Sequence, residues 1–185
     1  MRRGQVLKSK FLRVGSVVLV LLLFWAGVTF YNRDKNKIPP EKSVFPQTLQ
    51  GLNLSQVVSG PQAIQIIDKL HGTGIKIKQG YIAEYTGPNG QIMIWVSESG
   101  SIGEARQLFD IMDRKIKQAA EQNNPSAGGP PFNNRRTFSQ SGVSIVAVKG
   151  MGMENYYYQI GPKVYWIAAG GVNPPETLKA VIKVL

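Results

Sequence analysis

The chain contains no cysteine and one histidine, and its 22 Lys and Arg outnumber its 11 acids two to one. Without cysteine there is no disulfide, no thiolate metal site and no thiol nucleophile. The single histidine, His71, falls where a helix is predicted to end, and an imidazole there suits the helix dipole and the last free carbonyls. No G-x-S-x-G elbow accompanies it. The acids are scattered, with no D-x-D pattern and no histidine pair, so no metal site is expected. Glu84 and Glu98 are the one pair to weigh as glycosidase-type carboxylates, and both read more simply as solvated strand positions. His71-Gly-Thr-Gly74 and Gly150-Met-Gly152 are glycine turns, but neither opens a βαβ unit that would make a phosphate loop. The sequence therefore predicts no catalytic residue, no metal and no cofactor, and the chain is not expected to be an enzyme.

What is present is concentrated at the start. Arg2, Arg3, Lys8, Lys10 and Arg13 precede an uncharged apolar run, Val14 to Tyr31, and a second charged stretch follows from Arg33 to Lys42. Eighteen helical residues span about 27 Å, enough for a thin hydrocarbon core. Helix is the state in which an isolated span satisfies its own backbone. The short basic flank predicts an N-terminus inside and a domain outside. The competing reading is a cleavable signal peptide. It fits poorly, because a cut after Ala26 meets Phe24 and the run exceeds the roughly 7–15 apolar residues typical of such peptides. The expected organisation is a basic cytoplasmic tail 1–13, a signal anchor 14–31, a polar linker 32–46 with Pro39-Pro40, and an exported domain 47–185. That places the protein in a bacterial plasma membrane as a single-pass chain.

The excess charge follows the same division. Residues 1–42 hold nine cations and two acids, and residues 43–185 hold 13 and nine, so most of the +11 belongs to membrane topology and anionic headgroups. No nucleic-acid partner is expected, although Arg135-Arg136 and Tyr156-Tyr-Tyr158 offer basic and aromatic groups. An exported domain without disulfides must be held by its core, and about 140 residues suffice for one.

Along the exported part, Leu49 to Val58 alternates as a strand or extended arm. A capped helix follows from Ser59-Gly-Pro-Gln62 to Gly72, with Ala63, Ile66, Ile67 and Leu70 on one face. Ile75 to Tyr85, with a bulge at Gln79-Gly80, and Gln91 to Ser97 read as strands joined by Gly87-Pro-Asn-Gly90. Ser101-Ile-Gly-Glu104 caps a helix to about Ala120. Its predicted buried stripe is Ile102, Ala105, Phe109, Met112 and Ile116, joined by Leu108, with Asp110–Arg114 and Asp113–Lys117 pairs outside. A polar loop, 123–134, precedes two hairpins, across Ser141-Gly142 and Gly161-Pro162, and Asn173-Pro-Pro-Glu176 caps a last helix.

These elements predict the α+β class: one antiparallel sheet, three helices, and the helices on one face. Tyr81 to Met112 and Tyr156 to Leu185 both read strand, turn, strand, helix, a pattern that admits an internal duplication. A sheet covered on one side leaves large rings on the other. Tyr81, Tyr85, Met93, Trp95, Tyr157 and Tyr165 are therefore the candidate partner surface. The expected function is protein–protein interaction, with an envelope protein or a second copy, in a bacterial envelope assembly. The alternative is a module binding a small molecule or envelope polymer, marked by a pocket under Trp95, Tyr157 and Trp166.

Overall fold

The computed structural model describes residues 44–71, 76–122 and 132–185. The expected tail and membrane span, most of the linker and most of the 123–134 loop lie outside the described residues. No helix among those described is long and apolar enough to cross a membrane.

The elements run β1 (Thr48–Leu49), β2 (Leu52–Ser59), α1 (Gly60–His71), β3 (Gln79–Gly87), β4 (Gly90–Glu98), α2 (Ile102–Gln122), β5 (Asn133–Gln140), β6 (Val143–Gly150), β7 (Met153–Ile160), β8 (Lys163–Gly170) and α3 (Pro174–Val184). The strands form one sheet in the order β1-β2-β3-β4-β8-β7-β6-β5, every pair antiparallel. The order is palindromic about β4–β8, where Trp95 and Trp166 are direct partners. The domain is α+β, with three helices, as the sequence indicates.

The cover of the sheet differs from expectation. α1 packs Ala63 and Ile67 on Val58 and Ile82, and α2 packs Ala105, Leu108, Met112 and Ile116 on Val146, Tyr157 and Val164. Both helices lie on the same face, since Ile82 and Trp166 each pair with Trp95. α3 lies on the opposite face, where Leu178 and Val181 join Tyr85, Tyr156, Tyr158 and Tyr165, with Phe45 and Leu49 completing the layer. The reason is in the central strands: Asn155–Tyr158 are four consecutive buried residues, and a strand apolar on both sides requires two covers. The core thus reaches back to Phe45.

Local signals held where chemistry is local. The Glu104 amide donates to Ser101 Oγ (3.2 Å), and the Glu176 amide to Asn173 Oδ1 (3.4 Å), so both caps are in place. Tertiary neighbours displaced three expectations. Ile102 fits the helical stripe but is 63% exposed, because the first turn of α2 overhangs the sheet beside the β7–β8 turn. Asp113 does not pair with Lys117. It accepts Arg135 Nη2 at 2.7 and 2.9 Å, while Lys117 reaches Glu121 at 3.9 Å. A planar guanidinium binding both carboxylate oxygens outweighs a local helix pair. The bulge is not at Gln79-Gly80, where β3 pairs β4 without a slip, but in β2 between Leu54 and Gln56. Gly80 serves a different need. A Cβ there would lie 3.0 Å from the Ile64 amide nitrogen, so glycine lets α1 approach the sheet.

Candidate functional site

The candidate partner surface divides into buried and half-buried residues. Tyr85, Tyr157 and Tyr165 are buried, which corrects the exposed aromatic face expected of them. Tyr85 lies under the α3 layer, where its hydroxyl donates to the Pro46 carbonyl (2.9 Å) and burial pushes the phenol up to about 12. Tyr165 stacks on Tyr158 at 4.9 Å, and burial raises its phenol, with Glu98 adding to the rise. Tyr157 stacks flat on Trp166 (5.1 Å, 6°) and donates to Asp113 Oδ1 (2.8 Å); burial raises its phenol, and Asp113 adds to that. Tyr81 is half-buried on the α3 face and bonds Gln79 Oε1. Only Met93 and Trp95 remain together, half-buried on the α1/α2 face.

These two residues occupy a groove. α1 covers β2 and β3 and reaches β4, where Trp95 packs on its apolar cluster, and α2 covers β5, β7 and β8. The α2 side of β4 faces the gap between the two helices. The apolar clusters beneath the helices are separate and, among the described residues, share Ile77. Across the floor, Glu84 is opposite Met93, Trp95 is opposite Trp166, and Met93 is opposite Ala168. Side chains two apart on a strand share a face, so Glu84, Met93, Trp95 and Trp166 all line it. Trp166 is anchored: its indole Nε1 donates to Asn155 Oδ1 (3.1 Å), and Asn155 Nδ2 donates to the carbonyls of Gly150 and Met153. Trp95 is not anchored in this way. Its Nε1 is buried with no hydrogen-bond partner among the described residues. An unmet buried donor costs about 1–3 kcal/mol, which offsets part of what the indole ring gains by packing on the α1 cluster.

Glu84 is the second unfavourable group. It is half-buried, and among the described residues its carboxylate meets no cation and no hydrogen-bond donor. Burial raises its pKa above the ordinary 4.5. Sequence reasoning placed it on a solvated face and missed it. The available signal was an acid at i+2 from the buried Ile82 on a strand that is apolar on both sides. Glu84 and Glu98 do not form a carboxylate pair. They lie on opposite faces, Glu84 is level with Met93, five positions along β4 from Glu98, and Glu98 is 4.0 Å from Lys163 Nζ.

The Glu84 environment predicts a pH signature. The folded carboxyl holds its proton to higher pH than the unfolded chain does. Stability therefore falls as pH rises from about 4.5 through the raised folded value. Glu84→Gln, which has no charge to desolvate, is expected to melt higher than the parent at pH 7, with the difference vanishing below pH 4.5. Melting curves of both proteins across that range decide it; an equal difference at every pH would assign the effect to packing.

Among the described residues no group of three His, Cys, Asp or Glu is placed to hold a metal ion. A shallow cavity of about 690 Å³ lies at the β6–β7 turn and the end of β8, lined by Lys149, the Gly150–Gly152 turn, Gly170, Gly171 and Pro174. No protein-family model and no curated protein matches the chain. Among solved structures, the extracellular domain of PknH from Mycobacterium tuberculosis is similar at a TM-score of 0.47 and 13% sequence identity, over 72% of this chain and 77% of that one.

Proposed function

We propose that the chain is a non-enzymatic, membrane-anchored binding domain on the outer side of a bacterial cytoplasmic membrane, and that it binds through the groove between α1 and α2. One observation carries the binding surface: the Trp95 indole N–H and the Glu84 carboxylate, neighbours on the groove floor, are both polar groups whose burial there costs stability. Proteins keep such residues where function needs them, at the expense of stability. The anchoring rests on the basic tail 1–13 and the apolar run 14–31. An anchor confines the groove near the membrane and raises its effective concentration for ligands held there. The palindromic strand order supports reading the strand–turn–strand parts of Tyr81–Met112 and Tyr156–Leu185 as copies of one unit, while their helices lie on opposite faces.

A second reading is association with an envelope protein or a second copy. The observation in its favour is β5, eight residues long at the border of the sheet, with its outer edge unpaired among the described residues.

The absence of cysteine makes one experiment serve both readings. Met93→Cys places a unique thiol in the groove, and Ser139→Cys places one on β5. In separate samples, each is labelled in intact cells with a membrane-impermeant maleimide or with a thiol-linked photocrosslinker. Labelling of Ser139→Cys in intact cells is expected for a domain outside the membrane; labelling only after lysis would overturn that placement. Adducts of non-protein mass at position 93 support the groove reading. Protein adducts confined to position 139 support the second and sink the first.

A further inference from the structure

The two groups that identify the groove differ in chemistry, and together they define a ligand class. Glu84 supplies a negative charge with no countercharge among the described residues. Residues 72–75 and 123–131 contain no basic side chain, so the chain's remaining sources of countercharge are His71 and the basic residues of 1–43. Beside Glu84, directly across from it on β4, is the polarisable thioether of Met93, and diagonal to it is the indole of Trp95. Trp166 extends the aromatic floor on β8. Trp166 is locked by Asn155 and by its stack on Tyr157, so this part of the floor is rigid before any ligand arrives.

Resting on the groove reading above, we propose that the groove takes a small organic ammonium ion, held by the Glu84 carboxylate over the Trp95 ring and beside Trp166, whose ring is itself packed by Tyr157 and Phe132. A desolvated carboxylate favours a cation over any neutral group of the same shape. Among aromatic side chains, an indole face attracts a cation most strongly. A metal ion fits less well, because the surrounding donors are rings and a thioether rather than oxygens. An anionic ligand is repelled by Glu84. Binding neutralises a charge that burial disfavours, so the ligand is also expected to stabilise the fold.

The test uses the full-length protein in dodecyl maltoside, since choline-headgroup detergents would compete. The titration is run at pH 8, where an ordinary histidine is neutral. Choline and its neutral isostere 3,3-dimethylbutan-1-ol are titrated while tryptophan fluorescence and melting temperature are followed. The expected result is saturable binding of choline at least about tenfold tighter than the alcohol. Glu84→Gln is expected to abolish that preference while melting no lower than the parent, and Trp95→Phe to weaken choline binding without unfolding. Equal binding of choline and the alcohol would overturn the cation assignment and leave the groove standing as an apolar site. No response to either, in a protein that melts normally, would overturn the assignment and count against the groove as well. A choline preference that survives Glu84→Gln would show that the cation binds elsewhere.

Discussion

Tyr157→Ala is expected to destabilise the domain by about 4 kcal/mol, the range for removing a fully buried aromatic ring. Three contacts are lost together. The ring is 0% exposed, it stacks on Trp166 at 5.1 Å, and Phe109 tilts against it at 5.8 Å. The hydroxyl's bond to Asp113 also ties β7 to α2 and, through Arg135, to β5. Tyr157→Phe separates these contributions. It removes only the hydroxyl, and Asp113 keeps both contacts with Arg135, so about 1.5 kcal/mol is expected, the low end for a hydrogen bond to a charged group. Denaturant unfolding followed by circular dichroism measures both variants. If the two cost the same, the hydrogen bond rather than the ring holds α2 on the sheet.

Gly90→Ala is expected to be the most damaging single-atom addition, at about 3 kcal/mol or more and a fall in melting temperature of about 10 °C. The β3–β4 turn is pressed against the corner between β8 and α3. A Cβ on Gly90 would lie 2.2 Å from the Gly170 carbonyl oxygen and 2.8 Å from the Gly171 carbonyl carbon, and φ is +150°. Every neighbour is backbone, so relief requires moving two strands at the centre of the sheet. Gly80→Ala is the comparison. Its closest contacts are at 3.0 to 3.2 Å and one is the flexible end of Ile67, so about 1 kcal/mol is expected. A Gly90→Ala melting point as high as that of Gly80→Ala would show that the corner yields.

Most of the fold was legible because its signals are short-range. Ser101 and Asn173 cap the helices they were expected to cap, and each hairpin turns where glycine allows it, at Ser141-Gly142 and Gly161-Pro162. Alternation along β4 placed Ile92, Ile94 and Val96 on one face and Met93 and Trp95 on the other, as found. The candidate site was legible only in part. Met93 and Trp95 were named for being large rings or thioethers on a strand, and they do line the groove. Tyr85, Tyr157 and Tyr165 were named by the same reasoning and are core. A tyrosine's sequence neighbours do not say whether a helix distant in sequence lies over it.

The sequence by itself determined the element types, the caps and turns, and which residues share each face of each strand, since these follow from backbone preference and a period of two or 3.6 within a few residues. Its apolar run and flanking charges also carry the membrane expectation. Only the tertiary structure decided that α3 covers the face opposite α1 and α2, that Arg135 takes Asp113 from Lys117, that Trp95 meets Trp166 at the centre of the sheet, and that Glu84 stands beside them without a partner among the described residues. The physical reason is common to all four. Each depends on which surfaces pack when segments far apart in sequence compete to bury apolar area and satisfy charge, and no local pattern encodes that outcome.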